Sequence, residues 1–104
     1  MELTVMERLV LLSILPKEGN FLTLKLVRQL REALSFDELE NKRFNFVQDG
    51  DQVRWNESEK QEKEIEIGEK MTDLIVETLK GLDERKVLKE EQFTLYEKFV
   101  ESNS

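Results

Sequence analysis

The side chains that most often carry out chemistry in proteins are missing from this chain of 104 residues. It contains no cysteine and no histidine, which removes the thiol nucleophile, the commonest general base and the usual ligands of structural zinc. The loop Asp49-Gly50-Asp51 offers two carboxylates to a metal ion but lacks the ligand pattern of an EF-hand. The four glycines are scattered, so there is no glycine-rich phosphate loop. The sequence therefore predicts a protein that is not an enzyme, with no catalytic residue, metal or cofactor and no indicated small-molecule substrate.

A set of basic residues has the spacing of a binding surface. The candidates for contact with nucleic acid are Lys25, Arg28, Arg31 and Arg54. The first three follow at three-residue intervals within one predicted helix, where neighbouring cations can bind phosphate groups. The competing interpretation is that these cations face water and pair with nearby glutamates, namely Glu32, Glu38 or Glu40.

The acidic residues are concentrated in the second half of the chain. Residues 57–104 hold eight Lys and Arg against fourteen Asp and Glu, whereas residues 1–56 hold eight against nine. This excess opposes phosphate binding by the second half and favours a basic protein partner. Glu69, Asp73 and Glu77 recur at four-residue intervals and are the candidates for such an interface. The plainer interpretation is that they form a solvated helix face.

Apolar periodicity predicts two helices at the start of the chain. The first spans residues 4–15, where Thr4 and Glu7 have the spacing of a capping box. Pro16 ends this helix. A second helix is predicted over residues 21–34, because its leucines repeat at helical intervals.

A short third helix is predicted over "FDELENKR", residues 36–43. Ser35 and Glu38 repeat the capping-box spacing at its start, and Leu39 is expected to face inward. In the second half, Gly68 is expected to begin a fourth helix, and a fifth is predicted over residues 89–101.

The stretch "RFNFVQDGDQVRWN" predicts a β-hairpin over residues 44–55. Asp49-Gly50 is a favoured type I′ turn, and closing the strands there pairs Val47 with Gln52. In this register the apolar side chains share one face; they are Phe44, Phe46, Val53 and Trp55.

"EIEIG" alternates in polarity, which predicts a short strand near residues 64–67 that joins the hairpin. The fold class is therefore α+β, with three N-terminal helices, a small antiparallel sheet and two C-terminal helices. We expect a single domain over residues 1–104, with a frayed tail at residues 102–104.

The order of helix, helix, helix and hairpin is close to that of a winged helix. However, the third helix carries three acids against two bases, and the hairpin tip is acidic, so both would repel phosphate.

The apolar run Leu9–Leu15 is too short to span a membrane, which favours a cytoplasmic protein. The sequence thus favours protein–protein interaction or self-association, for example as a homodimer, with a winged-helix-like nucleic-acid-binding regulator as the alternative.

Three stretches carry a resemblance to known proteins: "LLSILPKEGNFLTLKLVRQLREALSF", "EKEIEIGEKMTDLIVETLKGLDERKVL" and "FTLYEKFV". They resemble a group of small uncharacterised proteins encoded in bacteriophage and prophage genomes. The resemblance covers about residues 8–100 and is one of overall pattern. It implies a phage or mobile-element origin and an intracellular setting, and it implies no activity or site residue.

Overall fold

A computed structural model describes residues 1–103 of the chain, and its elements confirm the α+β class. The helices are α1 (Val5–Ile14), α2 (Phe21–Leu34), α3 (Glu38–Phe44), α4 (Glu69–Glu84) and α5 (Phe93–Phe99). The strands are β1 (Glu2–Leu3), β2 (Val47–Asp49), β3 (Gln52–Arg54) and β4 (Lys63–Glu64). Short 3-10 turns lie at Glu90–Gln92 and Glu101–Asn103. The predicted frayed tail overlaps the second turn, and Ser104 lies outside the described residues.

The first helix starts as its local sequence predicts. The Glu7 backbone N–H donates to Thr4 Oγ1 over 3.1 Å, and the Thr4 N–H donates to Glu7 Oε1 over 2.9 Å. This reciprocal pair satisfies two donors that the first turn of a helix leaves free. The bounds of α2 also agree with the prediction, and Asn20 caps it by accepting a hydrogen bond from the Thr23 N–H.

The start of α3 differs from the prediction. Asp37, not Ser35, caps the helix, and the Glu40 N–H donates to Asp37 Oδ1 over 2.8 Å. Ser35 instead ends α2, where its backbone N–H donates to the Arg31 carbonyl. Glu40 and Phe44, which are four residues apart, form the buried side of α3, and Leu39 is 76% exposed instead of facing inward.

The core lies among four helices that contact one another in a ring. Helix α1 packs on α2 and α5, and α4 packs on the same two helices from the other side. The buried apolar residues that form one cluster are Leu3, Val10, Leu11, Leu15, Val27, Leu30, Leu34, Ile65, Ile75, Leu79, Leu95 and Phe99. Each fully buried side chain of this size contributes roughly 1.5–3 kcal/mol, so the cluster supplies most of the driving force for folding.

The strand predicted near residues 64–67 forms at Lys63–Glu64, but it does not join the hairpin. It pairs antiparallel with β1, and Leu3 lies opposite Lys63. The Ile65 N–H extends this pairing by donating to the Met1 carbonyl over 2.9 Å. Leu3 and Ile65 are both buried in the main core, and this burial draws the strand to the start of the chain.

The hairpin forms with a register that differs from the prediction by two residues. Val47 pairs with Arg54 instead of Gln52, and the loop is Gly50-Asp51. Of these two loop residues only Gly50 has a positive φ, at 63°, which is typical of a type II′ turn and not of type I′. A shift of two residues keeps every side chain on its face, so Phe46 and Trp55 still meet, with ring centroids 6.2 Å apart.

The hairpin is also shorter than residues 44–55. Phe44 is the last residue of α3, and Asn45 takes a left-handed conformation with φ of 50° that ends the helix and turns the chain into β2.

In the second half of the chain, Gly68 precedes α4 as predicted. The predicted fifth helix is divided, because the turn Glu90–Gln92 precedes α5.

Candidate partner-binding groove

An open groove of about 690 Å³ lies between α1 and the hairpin. Helix α1 lines it with Met6, Leu9, Val10 and Ser13, whose spacing places them on one face. The hairpin lines it with residues 51–55. This volume is within the range of natural ligand-binding clefts. We call the site the α1–hairpin groove.

The floor of the groove is apolar and partly open to solvent. We define this floor as Met6, Leu9, Val53 and Trp55. Met6 is 47% exposed and Val53 is 36% exposed, while Leu9 and Trp55 are half-buried. Clustered apolar side chains at a surface are typical of binding sites, whereas single exposed ones are ordinary.

The edge of the groove is acidic. Asp51, Glu57 and Glu91 line it, and we refer to these three residues as the acidic rim. Arg54 also lines the groove, but its guanidinium pairs with the Asp49 carboxylate on the neighbouring strand. Three carboxylates against this one paired cation give the lining of the groove a net negative charge.

An aromatic cluster holds the base of the hairpin in place. The Phe46 ring lies 4.7 Å from the Phe36 ring and 5.8 Å from the Phe44 ring, measured between centroids. Phe44 is buried, so it ties the cluster to the body of the protein. The Asn56 N–H donates to the Phe44 carbonyl over 2.7 Å and closes the hairpin at its base. The hairpin is therefore a fixed wall of the groove.

Trp55 is oriented by a polar contact at the other edge of its ring. Its Nε1–H donates to Gln61 Oε1 over 2.8 Å, and the Gln61 amide donates to the Glu59 carbonyl over 2.6 Å. A tryptophan at an interface often keeps such a polar contact while its ring meets an apolar partner. Trp55 is the single tryptophan of the chain, so tryptophan fluorescence comes from this one position beside the groove.

The predicted cations on α2 lie on the surface. Lys25, Arg28 and Arg31 are all exposed, and none forms an ion pair with a residue in the described part of the chain. Glu38 pairs instead with Lys42, and Glu40 is buried in a separate contact. These three cations therefore face water, as the competing interpretation expects, but among the described residues they do not pair with the nearby glutamates.

Arg54 is separated from the α2 cations. It lies at the groove, on the side of α1 formed by Met6 and Leu9. Helical geometry directs Arg8 to the other side of α1, where its guanidinium donates to the Leu34 and Ser35 carbonyls at the end of α2. The four predicted nucleic-acid contacts are thus divided between two surfaces.

The acidic row predicted on the fourth helix also lies at the surface. Glu69, Asp73 and Glu77 are exposed on α4, and none of them pairs with a cation among residues 1–103. They do not line the groove. The structure therefore leaves their role as a partner interface a prediction.

A buried arginine that sequence reasoning missed holds α1, α2 and α3 together. Arg8 is fully buried and its Nη1 lies 2.5 Å from Glu40 Oε2. It also donates to the Leu34 carbonyl over 3.2 Å and to the Ser35 carbonyl over 2.7 Å. The guanidinium stacks 3.9 Å from the centre of the Phe36 ring. The available signal was a lone cation within the apolar stripe of α1, because a buried charge requires a partner.

Glu40 is the partner that this arginine requires. Burial raises the pKa of the Glu40 carboxyl, but hydrogen bonds from Arg8, the Asp37 backbone and Lys63 outweigh this effect and lower the pKa to about 2. Lys63 lies 3.2 Å from Glu40 and brings β4 into the same contact. The carboxylate therefore stays charged near neutral pH, and its role is structural.

A second buried carboxylate connects the two ends of the chain. Lys98 on α5 donates to Glu7 Oε1 over 2.6 Å and to the Glu2 carbonyl over 3.0 Å. Although burial raises the pKa of Glu7, the hydrogen bonds from Lys98 and Thr4 are among those that together lower it below its usual value. The capping role of Glu7 was predicted, whereas its pairing with Lys98 was not.

The described residues were compared with the requirements of a metal site and of a membrane span. Among residues 1–103, no group of three or more acidic side chains is arranged to hold a metal ion. None of the helices in this range combines the length and apolar composition needed to cross a bilayer.

No protein-family model, curated protein or solved structure matches the chain. The resemblance to bacteriophage and prophage proteins therefore stays an expectation.

Proposed function

We propose that this chain is a cytoplasmic, non-enzymatic protein of phage or prophage type that acts by binding a protein segment in the α1–hairpin groove. The observation that carries the proposal is the combination of an open apolar floor with an acidic rim. Binding energy at such sites comes from a few apolar or aromatic anchors in a pocket, while surrounding charges select the partner.

The lining of the groove indicates the chemistry of its partner. An amphipathic helix places apolar anchors at intervals of three or four residues and fits a groove of this kind. The acidic rim favours lysine or arginine beside those anchors and repels an acidic segment. The partner is therefore a basic amphipathic segment of a protein.

Nucleic-acid binding by a winged-helix-like arrangement is the second candidate. It is favoured by Lys25, Arg28 and Arg31, which are exposed and have no ion-pair partner among residues 1–103. Two observations oppose it. Arg54 is paired with Asp49, and the hairpin tip carries Asp51, whose charge repels phosphate. The hairpin thus serves better as a groove wall than as a wing.

The experiment is a titration with a synthetic amphipathic peptide of leucine and lysine, followed by the fluorescence of Trp55. Binding of the peptide over the indole is expected to shift the emission to shorter wavelength. A matched peptide with glutamate in place of lysine is expected to bind at least about tenfold more weakly, since the rim repels it.

Two protein variants locate the binding site. Met6→Lys places a cation on the groove floor at a position that is 47% exposed, so the fold is retained while binding falls. Val87→Lys is the matched control, because Val87 is 52% exposed and lies outside the groove. Equal binding of both peptides, or equal binding by both variants, would contradict the proposal.

A further inference from the structure

We infer that the occupant of the α1–hairpin groove is the basic face of α2 from a second copy of this chain, so that the protein assembles head to tail. This inference rests on the proposed function, because it names the partner of the same groove. The inference is drawn from a second surface, on α2, whose charge and apolar residues complement those of the groove.

This second surface joins an exposed aromatic ring to cations that have no ion-pair partner in the described part of the chain. Phe21 is 82% exposed, the largest exposure among the large apolar side chains of the described residues. Lys25 and Arg28 follow at positions four and seven residues later, which places them on the same side of α2 as Phe21. Arg31 extends the row by one further turn. We call Phe21, Lys25, Arg28 and Arg31 the α2 basic face.

The α2 basic face is positive in a protein that is otherwise acidic. Helix α2 carries three cations and one acid, although the whole chain has 16 Lys and Arg against 23 Asp and Glu. The acidic rim of the groove also has three charges, and they are of the opposite sign. The cations of the α2 basic face and the carboxylates of the acidic rim are therefore equal in number and opposite in sign.

The apolar parts of the two surfaces match as well. The floor of the groove is partly exposed, with Met6 at 47% and Val53 at 36%, and Phe21 is 82% exposed. If the Phe21 ring of a second copy lies between Trp55 and the α1 side chains, the ring and the floor of the groove are buried together. Aromatic anchors with flanking arginines are the residues that most often dominate binding energy at interfaces.

The two surfaces cannot meet within one molecule. Helix α2 packs against the core through Val27, Leu30 and Leu34, on the side of α1 to which Arg8 points. The groove lies on the opposite side of α1. Each copy therefore offers one groove and one α2 basic face, and contacts of this heterologous type produce a ring or an open filament.

Sedimentation velocity over a range of protein concentrations tests the assembly. The wild-type chain is expected to form species larger than a monomer that dissociate as salt is raised, because the contact is partly ionic. Phe21→Ser removes the anchor from an exposed position, and Met6→Lys blocks the groove. Each variant alone is expected to associate at least about tenfold more weakly, whereas Val87→Lys is expected to behave as the wild type.

A mixture of the two variants is the decisive measurement. The Phe21→Ser chain keeps an intact groove, and the Met6→Lys chain keeps an intact α2 basic face. Mixed in equal amounts they are expected to form a dimer that cannot grow, because the remaining groove and face are both disabled. If both variants fold but the mixture stays monomeric, the head-to-tail contact is refuted.

A charge exchange tests the ionic part of the contact. Arg28→Glu is expected to weaken association, and combining it with Glu91→Lys in the same chain is expected to restore association, since both charges are then reversed in every contact of the assembly. If the double variant folds but associates no better than Arg28→Glu alone, the inference is overturned.

The remaining outcomes separate this inference from the proposed function. A wild-type chain that is monomeric at every concentration, yet still binds the leucine–lysine peptide at Trp55, overturns the second-copy inference and leaves the groove as a site for another protein. If neither the peptide nor a second copy binds, both proposals fail. If a short DNA duplex binds at low salt and Arg28→Glu abolishes this binding, the α2 basic face serves nucleic acid and the inference is overturned.

Discussion

Replacement of Glu40 by glutamine is the sharpest test of how this small domain is held together. Glu40→Gln keeps the shape of the side chain but removes the charge that faces Arg8. The arginine is fully buried, so it cannot recover water as a partner without opening the junction of α1, α2 and α3. The variant is therefore expected to fold with a large loss of stability.

Two independent routes give similar magnitudes for this loss. Leaving one partner of a buried ion pair uncompensated costs about 3–5 kcal/mol in other proteins. The pKa of Glu40 falls from 4.5 to about 2, and at 1.36 kcal/mol per pKa unit this corresponds to about 3 kcal/mol. Since domains of this size unfold with roughly 5–15 kcal/mol, the loss removes a large part of the total stability.

The same contact predicts how stability depends on pH. The folded-state pKa of Glu40 lies below its ordinary value, so the stabilisation is complete above about pH 4.5 and disappears as the pH falls toward 2. The difference in free energy of unfolding between the wild type and Glu40→Gln is therefore expected to be largest near neutral pH and to shrink over this window.

The assay is urea unfolding at several pH values, followed by Trp55 fluorescence and by circular dichroism. Glu38→Gln is the matched control, because Glu38 lies on the same helix, is 87% exposed and is 3.8 Å from Lys42. Exposed pairs of this kind contribute at most about 1 kcal/mol. A loss below about 1 kcal/mol for Glu40→Gln, or a difference that does not change between pH 5 and pH 2, would refute the reasoning.

Two further predictions concern local structure, and urea unfolding measures both. Thr4→Ala removes the cap of α1 and is expected to cost about 0.5–2 kcal/mol, whereas equal stability would mean that the capping box contributes nothing. Gly50→Ala is expected to cost about 1–2 kcal/mol because φ at this position is 63°. Asp51→Ala serves as its control, since φ of Asp51 is not positive, and an equal cost for both would refute the type II′ turn.

Local sequence determined the fold class and most of the helices. The limits of α2, the capping box of Thr4 and Glu7 and the start of α4 at Gly68 all depend on residues within one or two turns of each other. Such short-range signals can be read along the chain, because the hydrogen bonds involved connect neighbouring residues.

The sequence-based predictions were wrong where two local structures fitted the same residues equally well. Ser35 with Glu38 and Asp37 with Glu40 both have capping-box spacing, and the burial of Glu40 against Arg8 accompanies the second choice. Likewise, Asp49-Gly50 and Gly50-Asp51 both allow a hairpin with the same side chains on each face, so the polar pattern does not distinguish the two registers.

Contacts between distant parts of the chain were decided by the tertiary structure. Three contacts show this: the pairing of β4 with β1, the connection of Glu7 to Lys98 and the junction of Arg8 with Glu40. They join residues that are 32 to 91 positions apart. The α1–hairpin groove also depends on the tertiary structure. Met6 and Trp55 line the same groove because the aromatic cluster places the hairpin beside α1. The sequence by itself determined which residues are apolar or charged, whereas packing determined which of them lie together. The physical reason is that burial lowers the free energy of any arrangement that covers apolar surface and pairs buried charges.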